Sequence, residues 1–415
     1  MSLKAAIMNS TTVRFVVLCV VGGIGSTASA DESDRSIRFV RTQLDAKFRS
    51  EGVAAGDFNK DGKMDIAAGF VWYEAPAQSG GEWKLHAITD KVPEHDPKGY
   101  SNSFCTWAED LSGDGWTDIM VVDFPGTPTW WFENPKGGDT PWARHTITPV
   151  TNNESPTFLD LDGDGQRELI CAVAPDTASS DGPERQMAYL TRNKDRYMPW
   201  DIHRISAKAA PGTTKYSHGL GVGDVNGDQK NDVLVADGWW EAPAKDDGQP
   251  WPWHAAEFNR LAAPKHGAGF AQMYAFDIDG DGDNDVFGSS PHAYGTWWFE
   301  QTGKDQWKAH EIDMSFSQVH GVCLADMNGD KLPDIVCGKR WWAHAAGDPG
   351  VDDPAVFHWL ELKRENGRPA WISHQFDHNS GPGTQFEVAD MNGDKLPDVI
   401  ASNKKGVHLF TQVRD

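Results

Sequence analysis

Residues 270–289 read FAQMYAF-DIDGDGDND-VFGS: an alternating run, a nine-residue acidic loop at 277–285, and a second β-forming run. Alternation over so few residues fits a half-buried strand, and Gly280 and Gly282 permit the sharp turn that folds one run back on the other. Two more short runs follow, 296–300 (TWWFE) and 307–312 (WKAHEI), each rich in β-formers and bounded by Gly, Asp, Pro or Asn. The unit predicted from this stretch is a four-stranded antiparallel sheet.

The same acidic loop starts at Asp57, Asp110, Asp160, Asp224, Asp277, Asp326 and Asp390, a recurrence of 49 to 64 residues. Such a period suits four short strands and their turns, so seven copies predict an all-β, seven-bladed propeller as one domain over residues 31–415. No segment keeps a 3.6-residue apolar period, which predicts minimal helix. After the seventh loop only 398–402 (DVIAS) and 407–411 (VHLFT) remain as strand candidates. The missing outer strand has a counterpart at the other end, because 37–44 (IRFVRTQL) resembles 83–88 (WKLHAI), 143–148 (ARHTIT) and 371–376 (WISHQF). The N-terminal strand is therefore expected to complete blade 7 and remove the unpaired edges of an open ring.

Positions 1, 3, 5 and 9 of the loops offer oxygen to a hard cation. They are Asp57, Asn59, Asp61 and Asp65; Asp110, Ser112, Asp114 and Asp118; Asp160, Asp162, Asp164 and Glu168; Asp224, Asn226, Asp228 and Asp232; Asp277, Asp279, Asp281 and Asp285; Asp326, Asn328, Asp330 and Asp334; Asp390, Asn392, Asp394 and Asp398. Oxygen donors converging in that number are what Ca²⁺ takes. An EF-hand loop would need a carboxylate at position 12, where this chain has residues such as Ala68, Val121 and Val235. The alternative is a set of Asp/Asn-rich turns without metal. The loops hold 24 of the 61 acidic residues, about the whole formal excess of −23.

Residues 1–30 have the form of a secretory signal: Lys4 and Arg14, the apolar run 15–24, and Ala28-Ser29-Ala30 at the cleavage point. Export to the periplasm or the exterior is expected. The acidic balance argues against nucleic acid and anionic membranes as partners, and no later run is long enough to span a bilayer. Cys323 and Cys337 are equidistant from Asp330, which predicts directly opposed residues on one hairpin, as buried thiols or as a cross-strand disulfide. Third-strand aromatic pairs at Trp72-Tyr73, Trp130-Trp131, Trp239-Trp240, Trp297-Trp298 and Trp341-Trp342 are expected to pack between blades, with sugar stacking as the alternative.

With the acidic loops at one end of the inner strands, the other end collects a different chemistry. Glu154, His218 and His320 hold the same place before the third, fourth and sixth loops, and Gln272, Tyr274, His292, Lys339, Arg340, His344, Gln385, Lys404 and Lys405 lie around them. Imidazoles, a carboxylate and cations gathered at one mouth suggest a ligand site, while each His taken alone also suits a hydrogen bond to a loop backbone.

The tandem loops resemble FG-GAP/VCBS-type propellers over residues 37–415, which implies calcium in the loops on the face opposite the usual ligand site. More narrowly, 269–300, 316–348 and the ending GTQFEVADMNGD…ASNKKG resemble the propeller domain of aldos-2-ulose dehydratases. That resemblance implies a carbon–oxygen lyase, a metal-dependent keto-sugar dehydratase, and stops short of the cupin domains those enzymes carry. On it, Glu154, His218 and His320 would hold Zn²⁺ or another divalent transition metal, His292 would be the base, and Lys339 or Arg340 would steady the oxyanion. The rival is a non-catalytic propeller that displays the same face to a glycan or a protein partner in adhesion.

Overall fold

The structure is a computed structural model that describes residues 36–138, 141–262, 269–365 and 368–415; the expected signal segment 1–30 and residues 31–35 lie outside the described residues. Among these the chain is a β-propeller of antiparallel meanders, with helix confined to Phe258–Ala262 and a 3₁₀ turn at Thr177–Ser179. No helix of the described residues is long and apolar enough to cross a membrane.

The first sheet runs Ala54–Gly56, Asp65–Ala68, Val71–Glu74 and Lys84–Ala87 from inside outward, and the second Cys105–Glu109, Asp118–Val122, Thr127–Glu133 and Ala143–Thr151. Thr157–Leu159, Glu168–Val173, Gln186–Thr191 and Asp201–Arg204 form the third, and Val322–Ala325, Asp334–Gly338, Phe357–Glu365 and Arg368–Asp377 a later one. In the last sheet Glu387–Ala389, Asp398–Asn403 and Gly406–Arg414 are joined by the N-terminal Ile37–Asp45, which pairs antiparallel with Gly406–Arg414 from Ile37↔Arg414 to Asp45↔Val407.

The expectation of seven separate blades is corrected between residues 220 and 317. Five four-stranded sheets stand apart, and the remaining two meanders are joined into one eight-stranded sheet. In it Leu220–Gly223 runs parallel to Met273–Phe276, pairing Gly221 with Met273 and Val222 with Tyr274. Glycine is the reason. A Cβ on Gly221 would stand 2.4 Å from the Met273 carbonyl oxygen, and one on Gly223 would stand 2.9 Å from the Ala275 Cβ. Without those atoms two inner backbones approach to hydrogen-bonding distance.

Elsewhere apolar side chains separate the sheets. Phe58, Trp72, Ile119, Val121, Phe132 and Trp142 fill the layer between the first and second, and Met120, Trp131, Phe158, Leu169 and Trp200 the layer between the second and third. Ile66 and Tyr73 of the first sheet share a core with Val399, Leu409 and Phe410 of the last and with Val336 and Trp359 of the one before it.

Every acidic loop closes its hairpin in the same register: Gly56↔Asp65, Glu109↔Asp118, Leu159↔Glu168, Gly223↔Asp232, Phe276↔Asp285, Ala325↔Asp334 and Ala389↔Asp398. An even number of residues therefore lies inside each turn, which corrects the cysteine expectation: Cys323 faces Val336 and Val322 faces Cys337. Successive strand residues point to opposite faces, so the two thiols lie on opposite sides of the sheet, and both are free.

The ninth residue of each loop is a buried carboxylate that ties three strands together. One oxygen accepts the N–H of Phe58, Ser112, Leu161, Val225, Ile278, Met327 or Met391 at 2.8 to 3.1 Å. In six of the seven the other oxygen accepts an N–H at the end of the third strand, from Ala75, Asn134, Ala242, Gln301, Leu362 or Gln412, at 2.7 to 3.0 Å.

The Trp pairs also have a shared use. Trp72, Trp131, Trp239, Trp298 and Trp359 each stack on the His opposite them on the outer strand, His86, His145, His254, His310 and His374, with ring centroids 4.1 to 4.4 Å apart. Each of those imidazoles contacts the Glu two residues beyond the Trp, at 2.7 to 3.3 Å. In this ladder Trp359 stands where Trp341-Trp342 was expected. The chain leaves its second strand at Gly338 and rejoins at Phe357, so residues 339–356 are a loop.

Asp118→Ala removes both acceptors from two buried N–H groups. We expect a loss of about 2–4 kcal/mol in urea unfolding with a chelator present, at about 1–2 kcal/mol for each orphaned donor, against almost none for the exposed Asp181→Ala.

A histidine-rich candidate metal centre at the channel mouth

Glu154, His218 and His320 each lie a few residues ahead of an inner strand, and His292 and His344 follow second strands. All five therefore stand at the end of the sheets away from the acidic loops. Three routes bring them together: the entry segments of three meanders, the turn 290–293, and the loop 339–356. Ligand atoms of Glu154, His218, His320 and His344 all lie within 4.8 Å of one another, and those of His292, His344 and Asp348 form a second such group.

The hydrogen bonds decide where the lone pairs point. His320 Nδ1 lies 3.0 Å from the Gln318 carbonyl oxygen, which only accepts, so Nδ1 carries the proton and Nε2 a lone pair. His344 Nδ1 lies 2.6 Å from Asp348 Oδ2, which leaves its Nε2 a lone pair as well. These two Nε2 atoms face each other at 3.4 Å. Two opposed lone pairs repel unless a cation sits between them. Similarly, His218 Nε2 and Glu154 Oε2 approach to 3.3 Å, yet both are buried without a hydrogen bond of proper direction.

Burial, with Arg340 and the neighbouring imidazoles, holds His320 well below the usual histidine range; burial and His292 hold His344 at about 4. Burial and His218 lower His292 as well. Burial alone would raise Glu154, but His218 and Arg340 hold it at about 2. The cluster thus sets an ionised carboxylate beside three imidazoles, His292, His320 and His344, that are biased to the neutral form, and these are the forms that bind a metal.

Arg340 is buried and paired with Glu51 at 2.6 Å, with its other Nη 3.8 Å from Glu154. Its guanidinium steadies the carboxylates. Lys404 lies 3.8 Å from Glu51 and donates to the Trp342 carbonyl, and burial, with Arg340 nearby, pushes it down to about 8. Lys339 turns elsewhere, its Nζ donating to the Val351 carbonyl. His292 is the most open imidazole of the cluster at 43% side-chain exposure, and it lies 3.5 Å from Asp348. Gln272 and Gln385 stand deeper in the channel and bridge inner strands, Gln272 to Val322 and Thr384, Gln385 to Val53 and Thr106.

Sequence reading joined Glu154, His218 and His320, but it gave His344 no ligand role and passed over Asp348. Reading Trp341-Trp342 as a strand hid the loop that carries both. The usable signal was Trp359-x-Glu361, which repeats the spacing of Trp72-x-Glu74, Trp239-x-Glu241 and Trp298-x-Glu300 and marks the true third strand.

In the acidic loops, carboxylate oxygens of Asp160, Asp162 and Glu168, and of Asp277, Asp279 and Asp285, also come within 4.8 Å of one another. Burial pushes the ninth-position carboxyls up, to about 7 for Asp65, Asp118, Glu168, Asp232, Asp285 and Asp334 and to about 6 for Asp398.

Comparison with known proteins fits the repeats to a described family. A profile for the FG-GAP-like repeat matches residues 110–171 and 277–337, two segments that each begin at an acidic loop and run through the next one. No curated protein matches the chain. Similar solved structures include an Agrocybe aegerita lectin that recognises non-reducing terminal N-acetylglucosamine, 14% identical with a TM-score of 0.49 over 84% of this chain and 83% of that one. Another is an exotype rhamnogalacturonan lyase, 13% identical with a TM-score of 0.43 over 90% and 76%. A third is a periplasmic gluconolactonase of Pseudomonas aeruginosa, 12% identical with a TM-score of 0.38 over 91% and 96%. The chain carries FG-GAP-like repeats in a β-propeller.

Proposed function

We propose that this protein is a secreted, calcium-loaded propeller with a divalent transition-metal centre at its channel mouth, and that it acts on a carbohydrate there as a keto-sugar dehydratase. The observation that carries the reading is the meeting of Glu154, His218, His320 and His344, with two Nε2 lone pairs opposed at 3.4 Å. Three imidazoles and one carboxylate suit Zn²⁺ or a similar ion, and Asp348 fixes the tautomer of His344 as an outer partner.

A metal held there would polarise a ketone and stabilise the negative charge that develops on its oxygen. The chain's own groups supply the rest. His292, open to solvent beside Asp348, takes the proton from the carbon α to the ketone; a C=C bond forms between the α and β carbons as the C–O bond to the β-hydroxyl breaks, and that oxygen leaves as water with the proton returned by the His292 imidazolium. Arg340, paired with Glu51 and 3.8 Å from Glu154, sets the carboxylates of the site.

The same reading counts the eight-stranded sheet as two blades fused along their inner strands, seven in all, with Ile37–Asp45 closing the ring as the outer strand of the last. The identical hairpin registers and the core shared by the first and last sheets support it. Calcium in the acidic loops is supported by their grouped carboxylate oxygens and by the burial of the ninth-position carboxyls, whose charge a cation would settle. Export rests on the form of residues 1–30.

Metal analysis of protein purified without chelator should find about one transition-metal ion per chain. His344→Ala should lose it, and Asp348→Asn should bind it about 10–100-fold more weakly. A His344→Ala protein that keeps its metal sinks the centre. Excess EGTA should lower the melting temperature by several degrees through loss of a ligand bound only by the folded state; an unchanged transition argues against calcium. Deleting residues 36–45 should leave Gly406–Arg414 as an open edge and cause concentration-dependent association in light scattering. A truncated chain that stays monomeric and melts at the same temperature refutes the closure.

A further inference from the structure

Beside the imidazole cluster stands a run of aromatic rings that the proposed chemistry does not use. Phe124 is in contact with Tyr100 at 5.7 Å, with Phe104 at 5.4 Å and with Tyr216 at 5.6 Å between centroids. Phe104 is buried, but Tyr100 and Tyr216 are 40% and 44% exposed, among the large apolar side chains most open to solvent. Both flank the centre. Tyr216 precedes His218 by two residues, and the Glu154 N–H donates to the Ser217 carbonyl between them. On the other side, the Arg340 guanidinium, which faces Glu154, lies 5.9 Å from the Tyr100 ring.

Tyr216 is held there at a cost. Its φ is +66°, a left-handed conformation unfavourable for a bulky L-residue. The surroundings impose it: the Tyr216 N–H donates to the Asn152 carbonyl, and the Asn152 side chain is itself fixed by the carbonyls of Ser180 and Thr213. Strain kept at an exposed aromatic next to a cluster of ligating groups is a mark of function.

Charge adds a second condition. The Lys215 ammonium lies 5.0 Å from the Tyr216 centroid and 5.9 Å from that of Phe124, and its stem crosses Gly126, where a Cβ would meet the Lys215 Cε at 2.8 Å. Among the described residues Lys215 has no carboxylate within ion-pair distance, in a chain with 61 acidic residues. At the far end the Lys404 ammonium stands 4.5 Å over the Tyr100 ring.

Resting on the carbohydrate reading of this site, we propose that Tyr100, Phe124 and Tyr216 form a subsite for an acidic saccharide, whose rings lie on the two tyrosines and whose carboxylate pairs with Lys215. A cluster of mutually tilted aromatic rings rimmed by cations suits a sugar that carries a negative charge and leaves a neutral one without its ionic contact. The centre then meets the end of a bound chain, and the subsite selects it.

The test is an array of uronate-containing oligosaccharides, each paired with its carboxyl-reduced counterpart, probed with metal-replete protein. At least one acidic member should bind tenfold or more tightly than its reduced partner. Tyr216→Ala and, as an independent variant, Tyr100→Ala should each lower that affinity at least tenfold with metal content and melting temperature unchanged. Lys215→Gln should erase the preference for the acid and keep the weaker binding of the reduced sugar. The proposal is overturned if acidic and reduced members bind alike, if no member binds, or if Tyr216→Ala leaves the affinity intact. A wild-type protein that holds its metal but ignores the array refutes the subsite alone, and one that binds acidic sugars through the subsite without a transition metal refutes the centre alone.

Discussion

A carboxylate buried beneath each acidic loop accepts one N–H from the loop's start and, in six of the seven hairpins, another from the third strand. Each of these strands is only three to ten residues long, and register in such ladders is set by the side-chain pattern and the turn. The side chain of Asp65, Asp118 or Asp334 adds to that specification, because only one register brings both donors to it. From that fixed hairpin follow the even turn, the faces on which the apolar residues fall, and the end of the sheet at which the channel mouth opens. An acceptor this buried is also held in place by its own cost: turned away, it would leave two amides unpaired in the interior.

Much of this was legible in the sequence because the repeat writes it seven times. The acidic loops located every inner hairpin, and the alternating runs located the strands of the fifth meander within a few residues. What failed to show were the features that depend on contact between distant parts. The parallel joint between Leu220–Gly223 and Met273–Phe276 turns on two glycines whose importance lies in what stands opposite them. The cysteine pairing failed by a single residue, since counting from Asp330 assumed an odd turn where the carboxylate imposes an even one.

At the candidate site the division is similar. Equivalent positions in different repeats brought Glu154, His218 and His320 forward, because periodicity maps sequence onto a ring. His344 and Asp348 sit in the irregular excursion 339–356, which among the described residues is longer than any other between a second and a third strand. Their contribution is written in tautomers and in one short contact between Nδ1 and a carboxylate, neither of which has a sequence pattern. Arg340 likewise has a partner that no sequence pattern announces, the buried Glu51 at 2.6 Å.

The glycine-mediated joint also bears on how the mouth can vary. Most neighbouring sheets are kept apart by a layer of side chains, and a layer of that kind stretches or shrinks whenever a Leu becomes a Phe. Between the inner strands Leu220–Gly223 and Met273–Phe276 the spacer is the peptide backbone itself, with Val222 paired to Tyr274, while Leu234 and Trp239 pack with Val286 and Phe299 farther out. His218 enters one of these strands and His292 leaves the hairpin begun by the other, so their separation is set by a length common to all sheets. Substitutions in the side-chain layers around the ring would change the spacing of those sheets and leave the backbone spacing of these two inner strands as it is.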